Sequence, residues 1–152
     1  MKIGVIGTGV IASAMVTGFC DWECEHEFIL SPRNAEKSAA LAAKYPNCTV
    51  AKDNQDVLDN CEAVILAVVP QKAEEILSPL NFRKELKVIS LIPVLGLEKI
   101  AEIIGETAIL VDVLPLPFIR QRIGPVVINP PCKEIEDLIR PLGDLIALED
   151  KT

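Results

Sequence analysis

The chain has 152 residues, enough for one domain with a substantial core. Half of its residues are hydrophobic but only 4% are aromatic, so Val, Ile, Leu and Ala must supply that core. Fifteen basic residues against 22 acidic ones leave a net charge of −7, which excludes a general nucleic-acid binder but not a local phosphate site made of backbone N–H groups and one or two Arg.

Lys2–Ile6 is a short Ile/Val run bounded by glycine and predicts a buried strand. From Val10 to about Cys20, small and apolar residues fall at helical spacing. Glu27–Leu30 predicts a second strand, and Asn34 to Lys44, with Ala39, Ala40, Ala42 and Ala43, a helix that stops before Pro46. Cys48–Ala51 predicts a third strand, and Asn54 an N-cap for a short helix carrying Val57 and Leu58. Ala63–Val68 predicts a fourth strand, Gln71–Leu77 a helix, Lys87–Ile92 a fifth strand and Leu97–Ile104 a helix closed by Gly105. Ala108–Leu114, Pro125–Asn129 and Leu145–Leu148 predict three more strands, with a helix at Lys133–Leu142.

Apolar strands alternating with helices predict an α/β fold of the Rossmann type. The expected sheet is doubly wound and mostly parallel, with about eight strands and helices on both faces. The whole of 1–152 reads as a single dinucleotide-binding domain. Ligands of such sheets bind at the carboxyl ends of the strands, near the switch point.

The strongest chemical signal is Gly7-Thr8-Gly9-Val10-Ile11-Ala12, which matches the dinucleotide fingerprint directly after a strand and at the opening of a helix. Gly7 permits the tight turn, Gly9 leaves room for a pyrophosphate against the backbone, and Ala12 lets the helix pack closely on the sheet. The helix N-terminus then offers free N–H groups and partial positive charge.

A second signal lies at the end of the second strand. An NAD site commonly carries a carboxylate there for the ribose hydroxyls. Here Ser31 stands 24 positions after Gly7, followed by Pro32-Arg33-Asn34. With no carboxylate at that strand end, Ser31 as donor and Arg33 as phosphate partner point to NADP(H) in preference to NAD(H).

Other features set the compartment. No signal peptide is evident before Ile3, and the apolar stretches Ala63 to Pro70 and Val88 to Leu97 are too short to span a membrane. Five irregularly spaced cysteines do not form a disulfide framework, so a reduced, cytoplasmic protein is expected. Cys20, Cys24 and the lone His26 lack a fourth ligand, so no metal site is expected. No Ser-His-Asp set can be assembled, and the catalytic residues stay unassigned.

Taken together, the segments Ile3 to Ala12, Ser31 to Asn34, Asp53-Asn54, Leu66 to Gln71, Val88-Ile89-Ser90 and Leu114-Pro115 resemble the cofactor-binding portion of pyrroline-5-carboxylate reductases. The resemblance implies that Gly7, Thr8, Gly9, Val10, Ile11 and Ala12 hold the pyrophosphate. It implies further that Ser31, Arg33 and Asn34 surround the 2′-phosphate, that Asn54 reaches the adenosine side, and that the backbone of Ala67, Val68 and Pro70 passes beneath the nicotinamide.

The chain also departs from that pattern. Val69 replaces a lysine, Pro93-Val94 replaces Ala-Gly, and Leu114-Pro115-Leu116-Pro117-Phe118 replaces Met-Pro-Asn-Thr-Pro. The family continues into a helical dimerisation and substrate domain that these residues do not contain. The expectation is therefore a cofactor domain of a reductase acting on a cyclic imine or related substrate, homodimeric when complete. The alternative is a stand-alone NADP-binding sensor or regulatory module without turnover. Leu116, Phe118 and Ile119 are expected to be uncovered without the second domain.

Overall fold

A computed structural model describes residues 1–7, 9–21, 25–92, 94–115 and 125–147. Eight strands form one sheet: β1 (Lys2–Ile6), β2 (Glu27–Leu30), β3 (Cys48–Val50), β4 (Ala63–Leu66), β5 (Lys87–Ser90), β6 (Ile109–Pro115), β7 (Pro125–Asn129) and β8 (Asp144–Ala147). Their order is β3-β2-β1-β4-β5-β6-β7-β8. All pairs are parallel except β6 with β7. Six α-helices accompany them among the described residues: α1 (Val10–Asp21), α2 (Ala35–Lys44), α3 (Asn54–Asp59), α4 (Ala73–Leu77), α5 (Leu97–Ile104) and α6 (Lys133–Ile139).

The alternation of side chains along each strand divides the core between two faces. Ile3, Val5, Ile65, Ile89, Val111 and Val113 pack with α1, α2 and α6 on one face. Ile6, Val64, Leu66 and Val88 pack with α3, α4 and α5 on the other. A parallel strand covered on both sides can expose none of its length to water, which is why these strands read as unbroken apolar runs. The sheet is therefore doubly wound, with the switch point between β1 and β4.

Several boundaries differ from the sequence expectation, each for a local reason. Pro32 and Pro70 each start a single 3₁₀ turn, Pro32–Asn34 and Pro70–Lys72, so α2 begins at Ala35 and α4 at Ala73. β4 and β5 end at Leu66 and Ser90, two residues early, where the chain lifts off the sheet towards the next helix. Pro141 turns the end of the last helix into a 3₁₀ turn, Arg140–Leu142. The N-cap of α3 is Asp53, not Asn54. The Asp53 backbone is extended and its carboxylate accepts the Asp56 N–H at 2.8 Å. Asn54 is thereby the first residue of the helix, and its side chain is free for another partner.

α3 packs tightly on the sheet at Gly4, in the middle of β1. A Cβ built there would stand 2.6 Å from Val57 Cγ1 on α3 and 2.9 Å from Cys61 Sγ. Both neighbours are buried and cannot swing away. Gly4→Ala is therefore expected to destabilise the fold by about 1–3 kcal/mol through overpacking, lowering Tm by roughly 3–10 °C. An unchanged melting curve would contradict the packing of α3 described here.

Candidate dinucleotide site

The site grows out of the β1–α1 turn. Gly7 leaves the strand with φ of +89°, and a Cβ there would lie 2.7 Å from the Ala67 carbonyl oxygen. The bare turn thus lets the chain after β1 pass directly over the chain after β4, where the Ala67 N–H donates to the Ile6 carbonyl at 2.8 Å. At the opening of α1 the Ser13 N–H donates to the Gly9 carbonyl at 2.9 Å, and the first amides of a helix have no partner within it. Ala12 is buried against the sheet. Gly9 differs from Gly7: a Cβ on it would meet no atom of the described residues beyond its chain neighbours within 4 Å. Packing does not demand a glycine at 9, and the space above its backbone is open.

Two adjoining hollows lie along this turn. One, of about 480 Å³, brings Arg33 from the β2–α2 side and Lys72 from the β4–α4 side to Gly7, Gly9 and the Ala67–Val69 backbone. The other, of about 270 Å³, runs from Gly9, Val10, Ile11 and Ala12 to Val68, Pro70 and Leu91. The structure thus gathers Gly7, Gly9, Val10, Ile11, Ala12, Arg33, Ala67, Val68 and Pro70 around one trough at the carboxyl ends of the strands. Thr8 lies outside the described residues, as does the side chain of Asn34.

Ser31 and Asn54 are near the trough but do not line it. Ser31 is fully buried, and its hydroxyl donates to Asn54 Oδ1 at 2.6 Å while accepting the Arg33 N–H at 3.2 Å. Its carbonyl accepts the Ser38 hydroxyl at 2.6 Å. In this arrangement Ser31 works as a bracket that fixes the backbone under Arg33 and the direction of Asn54.

Two charged residues of the trough are absent from the sequence reading. Lys72 closes the 3₁₀ turn after β4, and Glu36 in the first turn of α2 faces the same space as Arg33. The strand end itself carries no carboxylate, but the hollow does. Two cations against one anion still leave it positive.

Of the departures from the family pattern, Val69 and Val94 are 54% and 83% exposed, and Leu114 at the end of β6 is 45% exposed. They make the rim beyond β4, β5 and β6 apolar. Pro93, Leu116, Pro117, Phe118 and Ile119 lie outside the described residues.

Behind that rim, Ser90, Asp112 and Asn129 share one row across β5, β6 and β7. Asp112 Oδ1 is buried with no hydrogen-bond partner among the described residues. Burial pushes the carboxyl above its ordinary value, and a hydrogen bond from Ser90 draws it part of the way back. The native state then holds the proton to higher pH than the unfolded chain. Stability contributed by the protonated form is complete below the unfolded value of 3.8 and is lost as pH rises through the raised native value. Asp112→Asn is expected to melt above the wild type at pH 7, with the gap narrowing as the pH falls towards 4. A gap that is constant across that range would contradict a raised carboxyl.

Cys20 contacts Cys48 and Asn47, and His26 packs edge-on against Phe19, with ring centroids 5.9 Å apart. Cys24 lies outside the described residues. Among the described residues no helix is long and apolar enough to cross a membrane.

Comparison with known proteins agrees with this geometry. Residues 2–94, more than half of the chain, match the family described as NADP oxidoreductase, coenzyme F420-dependent. Pyrroline-5-carboxylate reductase 2 of Bacillus subtilis is 28% identical over 118 residues, covering 75% of this chain and 42% of that protein. Pyrroline-5-carboxylate reductase of Aquifex aeolicus is 24% identical, covering 99% of this chain and 58% of that one. The chain thus spans about half the length of these relatives. A solved 1-pyrroline-5-carboxylate reductase from Streptococcus pyogenes superposes with a TM-score of 0.82 at 27% identity, over 98% of this chain and 58% of that one. The Plasmodium falciparum pyrroline carboxylate reductase, solved with NADP bound, shares the fold with a TM-score of 0.79 at 18% identity, over 98% of this chain and 58% of that one. Fingerprint turn, doubly wound sheet and family match together show that the chain belongs to the NADP oxidoreductase, coenzyme F420-dependent family, as an NAD(P)-binding Rossmann domain similar to part of the pyrroline-5-carboxylate reductases.

Proposed function

We propose that this chain binds NADP(H), in preference to NAD(H), as the cofactor domain of a reductase whose substrate is a cyclic imine or a related compound. The observation that carries the reading is the open backbone at Gly9, with the N-terminus of α1 on one side and Arg33 and Lys72 on the other. That donor set suits a pyrophosphate together with a second phosphate. Gly7, Thr8, Gly9, Val10, Ile11 and Ala12 would hold the pyrophosphate. Arg33 and Asn34 would meet the 2′-phosphate, with Ser31 and Asn54 fixing that wall. Ala67, Val68 and Pro70 would underlie the nicotinamide half. When bound, the cofactor supplies a hydride, and the protein supplies orientation and a dry site. The apolar rim of Val69, Val94 and Leu114 suits exclusion of water. The relatives are longer than this chain, and we propose that the complete protein is a cytoplasmic homodimer in which a second domain closes over the substrate.

Calorimetric titration of the chain with NADPH and then NADH tests the cofactor reading. Saturable NADPH binding, at least tenfold tighter than NADH, is expected, and no NADPH binding refutes it. NADPH oxidation by the full-length protein with cyclic imines tests the substrate class. Tight NADPH binding without turnover on any of them would overturn that class and leave the cofactor reading in place.

A further inference from the structure

We propose that Cys20 and Cys48 form a reversible, hydroperoxide-driven disulfide that ties the end of α1 to the start of β3. The two Sγ atoms are 3.8 Å apart and already share a hydrogen bond. A disulfide needs about 2.0 Å, so the remaining approach of about 2 Å is within the reach of side-chain rotation. The Asn47 carboxamide oxygen accepts the Cys20 thiol at 3.6 Å and holds it on that side of α1.

The two thiols differ in a way that suits sequential roles. Cys20 is half-buried and open to a small oxidant, whereas Cys48 is buried behind it. The hydrogen bond from Cys48 draws the Cys20 thiol below its ordinary value, which favours thiolate as the attacking form. Cys61 is the internal contrast: it is buried, and burial pushes its thiol up to about 11. In the first step the Cys20 thiolate attacks one oxygen of hydrogen peroxide. An S–O bond forms, the O–O bond breaks, and the departing hydroxide takes a proton to become water. In the second step the Cys48 sulfur, losing its proton, attacks Cys20 Sγ and displaces the hydroxyl as a second water. Two thiols and one peroxide thus give one disulfide and two waters. A dithiol reductant reverses the change.

The link would join the end of α1 remote from the fingerprint turn to β3, the edge strand beside β2. α1 begins at the fingerprint turn, and β3 runs into Asp53 and Asn54. The proposal does not depend on which cofactor binds, so its test and the cofactor titration fail separately.

The test exposes the reduced chain to hydrogen peroxide, blocks free thiols, and cleaves after Glu23, Lys44 and Lys52, which places Cys20, Cys24, Cys48 and Cys61 on separate peptides. A non-reducing map is expected to link the Cys20 and Cys48 peptides with the loss of two hydrogens. Tm is expected to rise by roughly 5–10 °C and to return on reduction. In Cys48→Ala a sulfenic-acid trap is expected to label Cys20, and in Cys20→Ser the peroxide-dependent rise in Tm is expected to vanish. A link to Cys24, Cys61 or Cys132 instead, no link at all, or an undiminished rise in Cys20→Ser would overturn the proposal.

Discussion

Gly7→Ala is expected to cripple both folding and cofactor binding, while Gly9→Ala, two residues later, is expected to spare the fold and remove binding alone. At Gly7 the backbone sits at φ +89°, a region costing about 1–3 kcal/mol for a residue with a Cβ. The added atom would also stand 2.7 Å from the Ala67 carbonyl oxygen and 2.8 Å from its carbon. Those are backbone atoms of the chain leaving β4 and cannot rotate aside. With about 1–3 kcal/mol for the overpacking, the two penalties sum to about 2–6 kcal/mol, a fall in Tm of roughly 5–20 °C for a domain of this size. Relief would come only by lifting the turn off Ala67, which would carry the α1 amides away from the trough. At Gly9 a Cβ meets no atom of the described residues beyond its chain neighbours within 4 Å, so stability should stay within about 0.5 kcal/mol of wild type. The same Cβ would project into the space proposed for the pyrophosphate, and NADPH affinity should fall by at least about tenfold, or 1.4 kcal/mol. Thermal melts and calorimetry on the two variants separate these effects. A destabilised Gly9→Ala, or one that still binds NADPH normally, would contradict the trough as the dinucleotide site.

The legibility of these features in the sequence follows from the range of the interactions behind them. Lys2–Ile6, Glu27–Leu30, Leu97–Ile104 and Pro125–Asn129 were readable to the residue, because apolar runs bounded by Gly, Pro or polar residues encode local structure directly. The N-cap of α3 lies one position before the one the sequence predicts. Asp53 and Asn54 are both good caps, and only the extended backbone of Asp53 decides between them. The place of Glu36 and Lys72 in the trough is hidden in the sequence for a different reason. Lys72 ends, and Glu36 closely follows, a 3₁₀ turn begun by a proline, and that turn sets which way these side chains point. Asp112 sits inside an apolar run that reads as an ordinary strand. Its contact with Ser90 depends on the β5–β6 register, which no local pattern reveals. The fingerprint turn was legible because its small residues answer to backbone geometry. The charged walls of the trough come from separate loops and become visible only when the sheet brings them together.

Arg33→Ala should lower NADPH affinity about tenfold to a hundredfold while leaving NADH affinity nearly unchanged, given the 1.5–3 kcal/mol of a charge-assisted contact. The guanidinium is exposed, so its removal should not disturb the fold. Its backbone N–H, bonded to Ser31 Oγ at 3.2 Å, is kept in the variant, and so is the wall it belongs to. Glu36 on the same hollow makes a sharper test possible. It repels a 2′-phosphate, so Glu36→Gln should strengthen NADPH binding modestly and make it less sensitive to the loss of Arg33. Lys72 approaches from the opposite side, over the chain leaving β4. If it serves the pyrophosphate, Lys72→Ala should weaken NADPH and NADH alike, so the ratio of the two affinities distinguishes its role from that of Arg33. Equal losses for both cofactors in Arg33→Ala would move that residue from the 2′-phosphate to the shared part of the ligand. The preference for the phosphorylated cofactor would then need another source among the residues of the trough.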